Sequence, residues 1–165
     1  DFQTLLREVI RENFQQETKA LDVKRNNLAS MLVNVKGSIY EKIVKPKCKQ
    51  EIQNIEKLGS IELENGEIKL SPKTEEKEDL QSSVNTFNKC YSSNSLGIIP
   101  LTEKLSGELE GNTNMLYELL GKCNSNDREE AKECVLNAIR ISSRNLTGVL
   151  NRYSVKIEEM NNQLI

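Results

Sequence analysis

The sequence predicts an all-α protein: an antiparallel helical bundle with two long outer helices, two shorter ones and a small β-hairpin excursion. The main observation is an apolar stripe near the C-terminus whose members recur at steps of 4, 3 and 4 residues. This eleven-residue repeat is close to the period of an unstrained α-helix, so it predicts one long, nearly straight helix over 128–164. The stripe comprises Ala131, Val135, Ala138, Ser142, Leu146, Val149, Tyr153, Ile157, Met160 and Leu164.

A second apolar pattern with helical spacing predicts another long helix over about 2–45. Pro46 should end it, because proline disfavours helix in the residue before it. A helix of this length can lie antiparallel along the last one and leave little of either unmatched. The apolar positions are Phe2, Leu5, Leu6, Val9, Ile10, Phe14, Leu21, Leu28, Leu32, Val35, Ile39 and Ile43.

A β-hairpin over 60–71 is the clearest departure from the helical pattern. Asn65-Gly66 lies between two alternating runs, which is the signature of a two-residue type I′ turn. The resulting register pairs Leu63 with Ile68 and Ile61 with Leu70 on one face, and Glu62 with Lys69 as a salt-bridging pair on the other. The remaining elements of this single domain over 1–165 are a short helix over 47–58 and helices over 72–91 and 99–121.

Composition limits the classes of function. The 23 basic and 25 acidic side chains nearly cancel, which argues against a nucleic-acid partner. No apolar run approaches the roughly 20 residues that span a membrane. Because the chain begins at Asp1 rather than Met, we expect that a signal peptide has been removed.

The four cysteines favour disulfides in an oxidising compartment, with four buried free thiols as the alternative. No Cys-x-x-Cys pair and no His is present, so we expect no metal site. Of the three pairings, we favour Cys123–Cys134, which closes a short loop, and then Cys48–Cys90 by elimination. Asn145-Leu146-Thr147 is an N-glycosylation sequon, which agrees with secretion.

The sequence carries no pattern typical of an enzyme, so we expect no catalytic residues and no cofactor. Without His there is no Ser–His or Cys–His nucleophile pair. The carboxylate clusters at 75–79 and 158–159 are interpreted as solvated helix surface. Phosphate-binding loops and calcium loops are also missing from the sequence.

The last third of the chain resembles a group of secreted insect (dipteran) cysteine-containing helical proteins, which includes the tsetse EP-protein domain and some salivary proteins. The resemblance lies in Leu119-Leu120 before Cys123-Asn124-Ser125, in Cys134 with Asn137-Ala138, and in the Asn-Leu-Thr at 145–147. Upstream the sequence departs, since that group has more closely spaced cysteines and no obvious hairpin. The resemblance implies a secreted, gut- or saliva-associated protein without catalytic activity.

We therefore expect a secreted, extracellular interaction protein that binds a host or extracellular protein, or a second copy of itself. A carrier of an apolar small ligand between helices is the alternative, although scarce aromatics disfavour it; other helical surface proteins, such as parasite coat proteins, are a third class. The shorter helices should leave part of the long helices uncovered, and exposed apolar surface usually marks a partner site. The expected surface comprises Phe2, Leu6, Ile10, Phe14, Tyr153, Ile157, Met160 and Leu164.

Overall fold

The computed structural model describes residues 1–64, 66–72 and 77–165 and is 81% helical, with one two-stranded antiparallel sheet. The mostly-α class is therefore as predicted. The strands are β1 (Gly59–Glu64) and β2 (Glu67–Pro72). The helices are α1 (Phe2–Asn13), α2 (Gln15–Ile39), a π-helical segment (Tyr40–Val44), α3 (Lys45–Lys47), α4 (Lys49–Glu56), α5 (Lys77–Ser93), α6 (Ile98–Gly121) and α7 (Arg128–Gln163).

The N-terminal helical region is interrupted where the sequence predicts one helix over 2–45. Phe14 leaves the helical conformation (φ −130°, ψ 17°) and separates α1 from α2. The chain also continues past Pro46, which lies in the first turn of α3 directly after the π-helical segment. Proline is tolerated in a first turn, where its missing N–H is not needed. The helical path then breaks at Cys48 (φ −106°, ψ 27°).

The chain divides into two compact units, and the single domain over 1–165 stays a prediction. The first unit contains Asp1–Ala29 and Glu103–Val155, and the second contains Ser30–Thr102 and Lys156–Ile165. Side chains from α1, α2, α6 and α7 form the core of the first unit, and Leu5, Leu6, Ile10 and Phe14 pack against it. This core comprises Val9, Leu21, Leu116, Ala131, Val135, Ala138, Ile139 and Leu146.

In the first unit, the N-terminal helices run parallel to α7, which corrects the predicted antiparallel pairing of the first and last helices. Arg128, at the start of α7, forms an ion pair with Glu12 at 2.8 Å. Further along, Asn112 of α6 hydrogen-bonds both Arg25 of α2 and the carbonyl of Ser142 in α7. Residues further along α1 and α2 therefore lie beside residues further along α7, so the segments run in the same direction. Matching helix lengths do not determine direction, and no short loop joins these two segments.

Helix α6 runs antiparallel to α7 within the same unit. Arg152 donates to the Glu108 carboxylate at 2.9 Å, while Asn112, one turn further along α6, meets Asn145, two turns earlier in α7. Short connections make consecutive helices antiparallel neighbours, and here the connection covers only residues 122–127.

The hairpin of the second unit has the predicted apolar register. Ile61 lies opposite Leu70 and Leu63 opposite Ile68. Glu62 lies opposite Lys69 as predicted, but Lys69 forms its ion pair with Glu64, at 3.1 Å. A long side chain can reach such a diagonal neighbour on the facing strand. The turn residue Asn65 and residues 73–76, in the first part of the helix predicted over 72–91, lie outside the described residues.

The hairpin packs against α2 through glycines. A side chain at Gly66 would meet Lys36 Cδ at 3.0 Å and the backbone of Val33 at 3.5 Å. A side chain at Gly37 would meet Leu63 Cδ2 at 3.9 Å. Lys36 is itself buried and reaches Glu67 at 3.4 Å. The hairpin tip is therefore fixed on α2 by close backbone approach and one ion pair.

Candidate functional site

The expected apolar partner surface is not a continuous exposed stripe. Tyr153 and Ile157 are 4% and 1% exposed, so the prediction that they face a partner is wrong for these two side chains. Tyr153 is covered because α6 reaches it: its hydroxyl hydrogen-bonds the Glu108 carboxylate. The other expected members, all partly buried, are Phe2, Leu6, Ile10, Phe14, Met160 and Leu164.

The four cysteines form two disulfides, Cys48–Cys90 and Cys123–Cys134, which are the favoured pairs. The first joins the end of the N-terminal helical region to α5, and the second joins the loop before α7 to its second turn. Glu51 lies near the first bond, with one carboxylate oxygen and both sulfur atoms all within 4.8 Å of one another. Because both sulfur atoms are bonded to each other, neither is a thiolate available to a metal.

A buried polar network crosses the first unit and was not anticipated from sequence. Arg25 is only 9% exposed, and its Nε donates to Asn112 Oδ1 at 2.9 Å. Its Nη1 donates to Asp22 at 2.7 Å. Asn112 in turn donates from Nδ2 to the Ser142 carbonyl at 2.8 Å and to Asn145 Oδ1 at 3.0 Å. We call these five residues the Arg25 network.

The sequon residue Asn145 is the outermost member of this network on α7. It is exposed, whereas its neighbour Leu146 is fully buried in the core. Thr147, the third residue of the sequon, is exposed and donates from Oγ1 to the Ser143 carbonyl at 2.9 Å. The sequon therefore lies within a helix, with its Asn and Thr on the outside and its Leu inside.

A groove of about 330 Å³ lies beside Asn145, between α6 and α7. We call it the α6/α7 groove. Gly107 and Gly111 form one wall, and an added side chain at either would meet no atom within 4 Å. Burial, together with the Glu108 carboxylate, raises the pKa of the nearby Tyr153 to about 12. The groove is lined by Gly107, Glu108, Gly111, Asn112, Met115, Asn145, Val149 and Arg152.

A second groove, of about 420 Å³, lies between α2 with the π-helical segment and the hairpin. We call it the hairpin groove. Its walls combine apolar groups with one acid and one base, Glu41 and Lys42, both exposed. In the same π-helical segment, burial raises the pKa of Tyr40, with further contributions from Glu41, Glu56 and Tyr91. The lining residues are Val33, Asn34, Gly37, Ser38, Glu41, Lys42, Leu63 and Gly66.

Both grooves offer hydrogen-bond donors, acceptors and small apolar areas, which is chemistry suited to binding. Among the described residues, no helix has both the length and the apolar character that crossing a bilayer requires. No protein family, curated protein or solved structure matches the chain. The two grooves and the two disulfides are therefore the basis for assigning a function.

Proposed function

We propose that this chain is a secreted, non-enzymatic interaction protein that binds an extracellular or host protein through the hairpin groove. The two disulfides support an oxidising, extracellular compartment, where such bonds form and persist. The resemblance to dipteran salivary and gut proteins supports the same placement. The observation that carries the binding role is the hairpin groove itself.

The groove is preformed, which favours binding because little has to be ordered on association. Gly66, at φ 80°, sets the hairpin tip against Lys36 and Val33. On the opposite side, the wall is formed partly by a π-helical segment. Such segments are rare in helices and occur frequently at functional sites.

The lining chemistry favours a protein partner over a small apolar ligand. Val33 and Leu63 supply an apolar floor, while Asn34, Glu41 and Lys42 supply a polar rim, an arrangement typical of protein interfaces. A carrier of an apolar ligand instead needs a pocket that buries most of its ligand. Both the hairpin groove and the α6/α7 groove are open and have charged residues in their walls.

We also propose a helical-bundle architecture for the first unit, with α6 antiparallel to α7. The shared core of α1, α2, α6 and α7 supports it, as does the order of contacts along these helices. The two long helices, α2 and α7, contribute residues 15–29 and 128–155 to this proposed bundle.

The test fills the hairpin groove without disturbing the core. Asn34 is exposed and lines the groove, so Asn34→Trp should block it, whereas Asn114→Trp makes the same change on an exposed position of α6. Immobilised parent and variants are incubated with candidate host and extracellular fluids. We expect a protein captured by the parent and by Asn114→Trp but lost with Asn34→Trp.

Affinity of the identified protein should then fall at least about tenfold for Asn34→Trp, a change of about 1.4 kcal/mol. Equal capture by all three proteins would place the contact surface elsewhere. Sedimentation of the parent and of Asn34→Trp tests the second-copy alternative, because a self-association through this groove would be lost in the variant.

A further inference from the structure

We propose that Asn145 carries an N-linked glycan whose first sugar occupies the α6/α7 groove beside Gly107 and Gly111. The proposal rests on the secretory placement proposed above, because the modification occurs on chains that enter that pathway. It goes beyond the presence of a sequon, since it follows from how the fold orients the Asn145 amide and from the space next to it.

The orientation of the Asn145 amide follows from donor and acceptor chemistry that begins at Arg25. A guanidinium can only donate hydrogen bonds, so the Asn112 atom that faces Arg25 Nε must be Oδ1. The other end of the Asn112 amide is then the NH₂ group. It meets the Ser142 carbonyl, which can only accept, and this agrees with the assignment. The Asn145 atom that receives the second N–H must therefore be Oδ1.

The Asn145 nitrogen consequently lies on the side of its amide away from Asn112. This nitrogen is the atom that an N-linked glycan modifies, and the modification leaves the Oδ1 acceptor intact. The hydrogen bond of 3.0 Å from Asn112 can thus persist in the glycosylated protein. Folding and glycosylation at this position are compatible, even though Asn145 belongs to a buried network.

The attachment step takes place before α7 forms. In the folded helix the Thr147 hydroxyl is bonded to the Ser143 carbonyl, so the sequon is not in an extended conformation. On the unfolded chain, the amide nitrogen attacks C1 of the first sugar of a lipid-pyrophosphate-linked oligosaccharide. The C1–N bond forms, the C1–O bond to phosphate breaks, the lipid pyrophosphate leaves, and one amide proton passes to solvent. No oxidant or reductant is required.

The α6/α7 groove provides a binding site for the attached sugar. Gly107 and Gly111 leave space on the α6 wall, and Asn145 itself is part of the lining. The groove also contains the Glu108–Arg152 pair, at 2.9 Å, whose polar atoms suit sugar hydroxyl groups. Met115, which is partly exposed, provides apolar area for the methyl of an N-acetyl group. Leaving glycines uncovered on a helix exposes backbone, and a sugar would shield it.

The experiment uses the full chain secreted from insect cells behind a host signal sequence, with only the secreted, disulfide-bonded protein analysed. Intact mass should exceed the sequence mass by one N-glycan, which peptide-N-glycosidase removes. The glycan mass should be lost completely in Thr147→Ala and retained in Thr113→Ala, a matched change on α6. Secreted parent of unmodified mass would overturn the proposal and would leave the hairpin-groove function standing.

The position of the sugar in the α6/α7 groove is tested by amide chemical shifts of the secreted protein. Between the glycosylated parent and Thr147→Ala, the amides of Gly107 and Gly111 should shift, and that of Gly121, at the far end of α6, should not. A glycan that is present but leaves Gly107 and Gly111 unshifted would overturn the placement in the groove. Binding at the hairpin groove is measured separately, and both glycan variants keep Asn34 unchanged.

Discussion

Arg25 Nε donates a 2.9 Å hydrogen bond to Asn112 Oδ1, and both side chains are almost fully buried. The guanidinium therefore holds a full positive charge in the interior of the first unit, with Asp22 as its ionic partner at 2.7 Å. Buried charges are costly unless their hydrogen bonds are satisfied. Asn112 and Asp22 are thus the two acceptors on which the burial of Arg25 depends.

Replacing Asn112 with alanine should destabilise the protein strongly. The change removes the acceptor of Arg25 Nε and two further hydrogen bonds, so the free energy of unfolding should fall by about 2–3 kcal/mol. Urea denaturation measures this. Asn114→Ala is the control, because this exposed side chain lies on the same helix, and its effect should stay within about 0.5 kcal/mol. Similar values for the two variants would show that the Arg25 network contributes little to stability.

Two glycine-to-alanine substitutions should have effects of opposite sign. Gly66 has φ 80°, and an added side chain would press on Lys36, so Gly66→Ala should lose about 1–2 kcal/mol. Gly111 lies in the interior of α6 with open space around it, so Gly111→Ala should gain up to about 1 kcal/mol. Thermal and urea unfolding measure both changes in the free energy of unfolding. A stabilised Gly66→Ala would mean that the hairpin tip does not rest on α2.

The disulfides should differ in their contribution to stability. Cys48–Cys90 spans 42 residues and Cys123–Cys134 spans 11. Loop-closure entropy predicts losses of about 4 and about 3 kcal/mol when each pair is replaced by alanine. Alanine avoids placing a serine hydroxyl at the fully buried Cys48. Equilibrium unfolding of the two double variants gives the ranking, and a reversed order would mean that the denatured state is not an unconstrained chain.

Alkaline pH should destabilise the first unit through Tyr153. Burial and the Glu108 carboxylate raise its pKa from 10.0 to about 12, so the folded state retains a proton that the unfolded chain loses. The stabilisation is complete below pH 10 and is lost as pH rises toward about 12. Tyr153→Phe should show a shallower loss of stability in this window. Tyr117→Phe is the control, since this side chain is 68% exposed, and its loss of stability with pH should match that of the parent.

The parts of the fold that sequence could predict are those determined locally. The hairpin register follows from the position of Gly66 in the turn and from the alternation of apolar and polar residues on either side of it. The Cys123–Cys134 bond closes a short loop. The parallel course of α1 and α2 beside α7 depends on contacts between residues such as Glu12 and Arg128, 116 positions apart. Nothing in the local pattern of either segment encodes that direction.

The candidate site was harder to predict, because its components resemble surface residues. Arg25 lies in a polar stretch of α2, and Asn112 lies between residues typical of an exposed helix face. Both side chains are buried because α2, α6 and α7 meet at this point. The spacing of apolar residues within one helix does not indicate such a meeting. The Asn145 sequon was visible in the sequence, but the orientation of its amide depends on Arg25, which a short motif cannot include.

The π-helical segment Tyr40–Val44 keeps the buried residues before it and after it on the same face of the helical path. Buried positions Val35, Ile39, Val44 and Cys48 are separated by 4, 5 and 4 residues, and the step of five is wider than an α-helical turn allows. In an uninterrupted α-helix one additional residue would turn everything after it by about 100° around the helix axis, and the wider π-helical turn absorbs that residue. Deleting the exposed Glu41 should therefore restore an α-helical step of four between Ile39 and Val44, so Cys48 should still face Cys90. Thiol titration of the secreted variant should find no unpaired cysteine, and two free thiols would show that the π-helical turn is needed for the covalent cross-link.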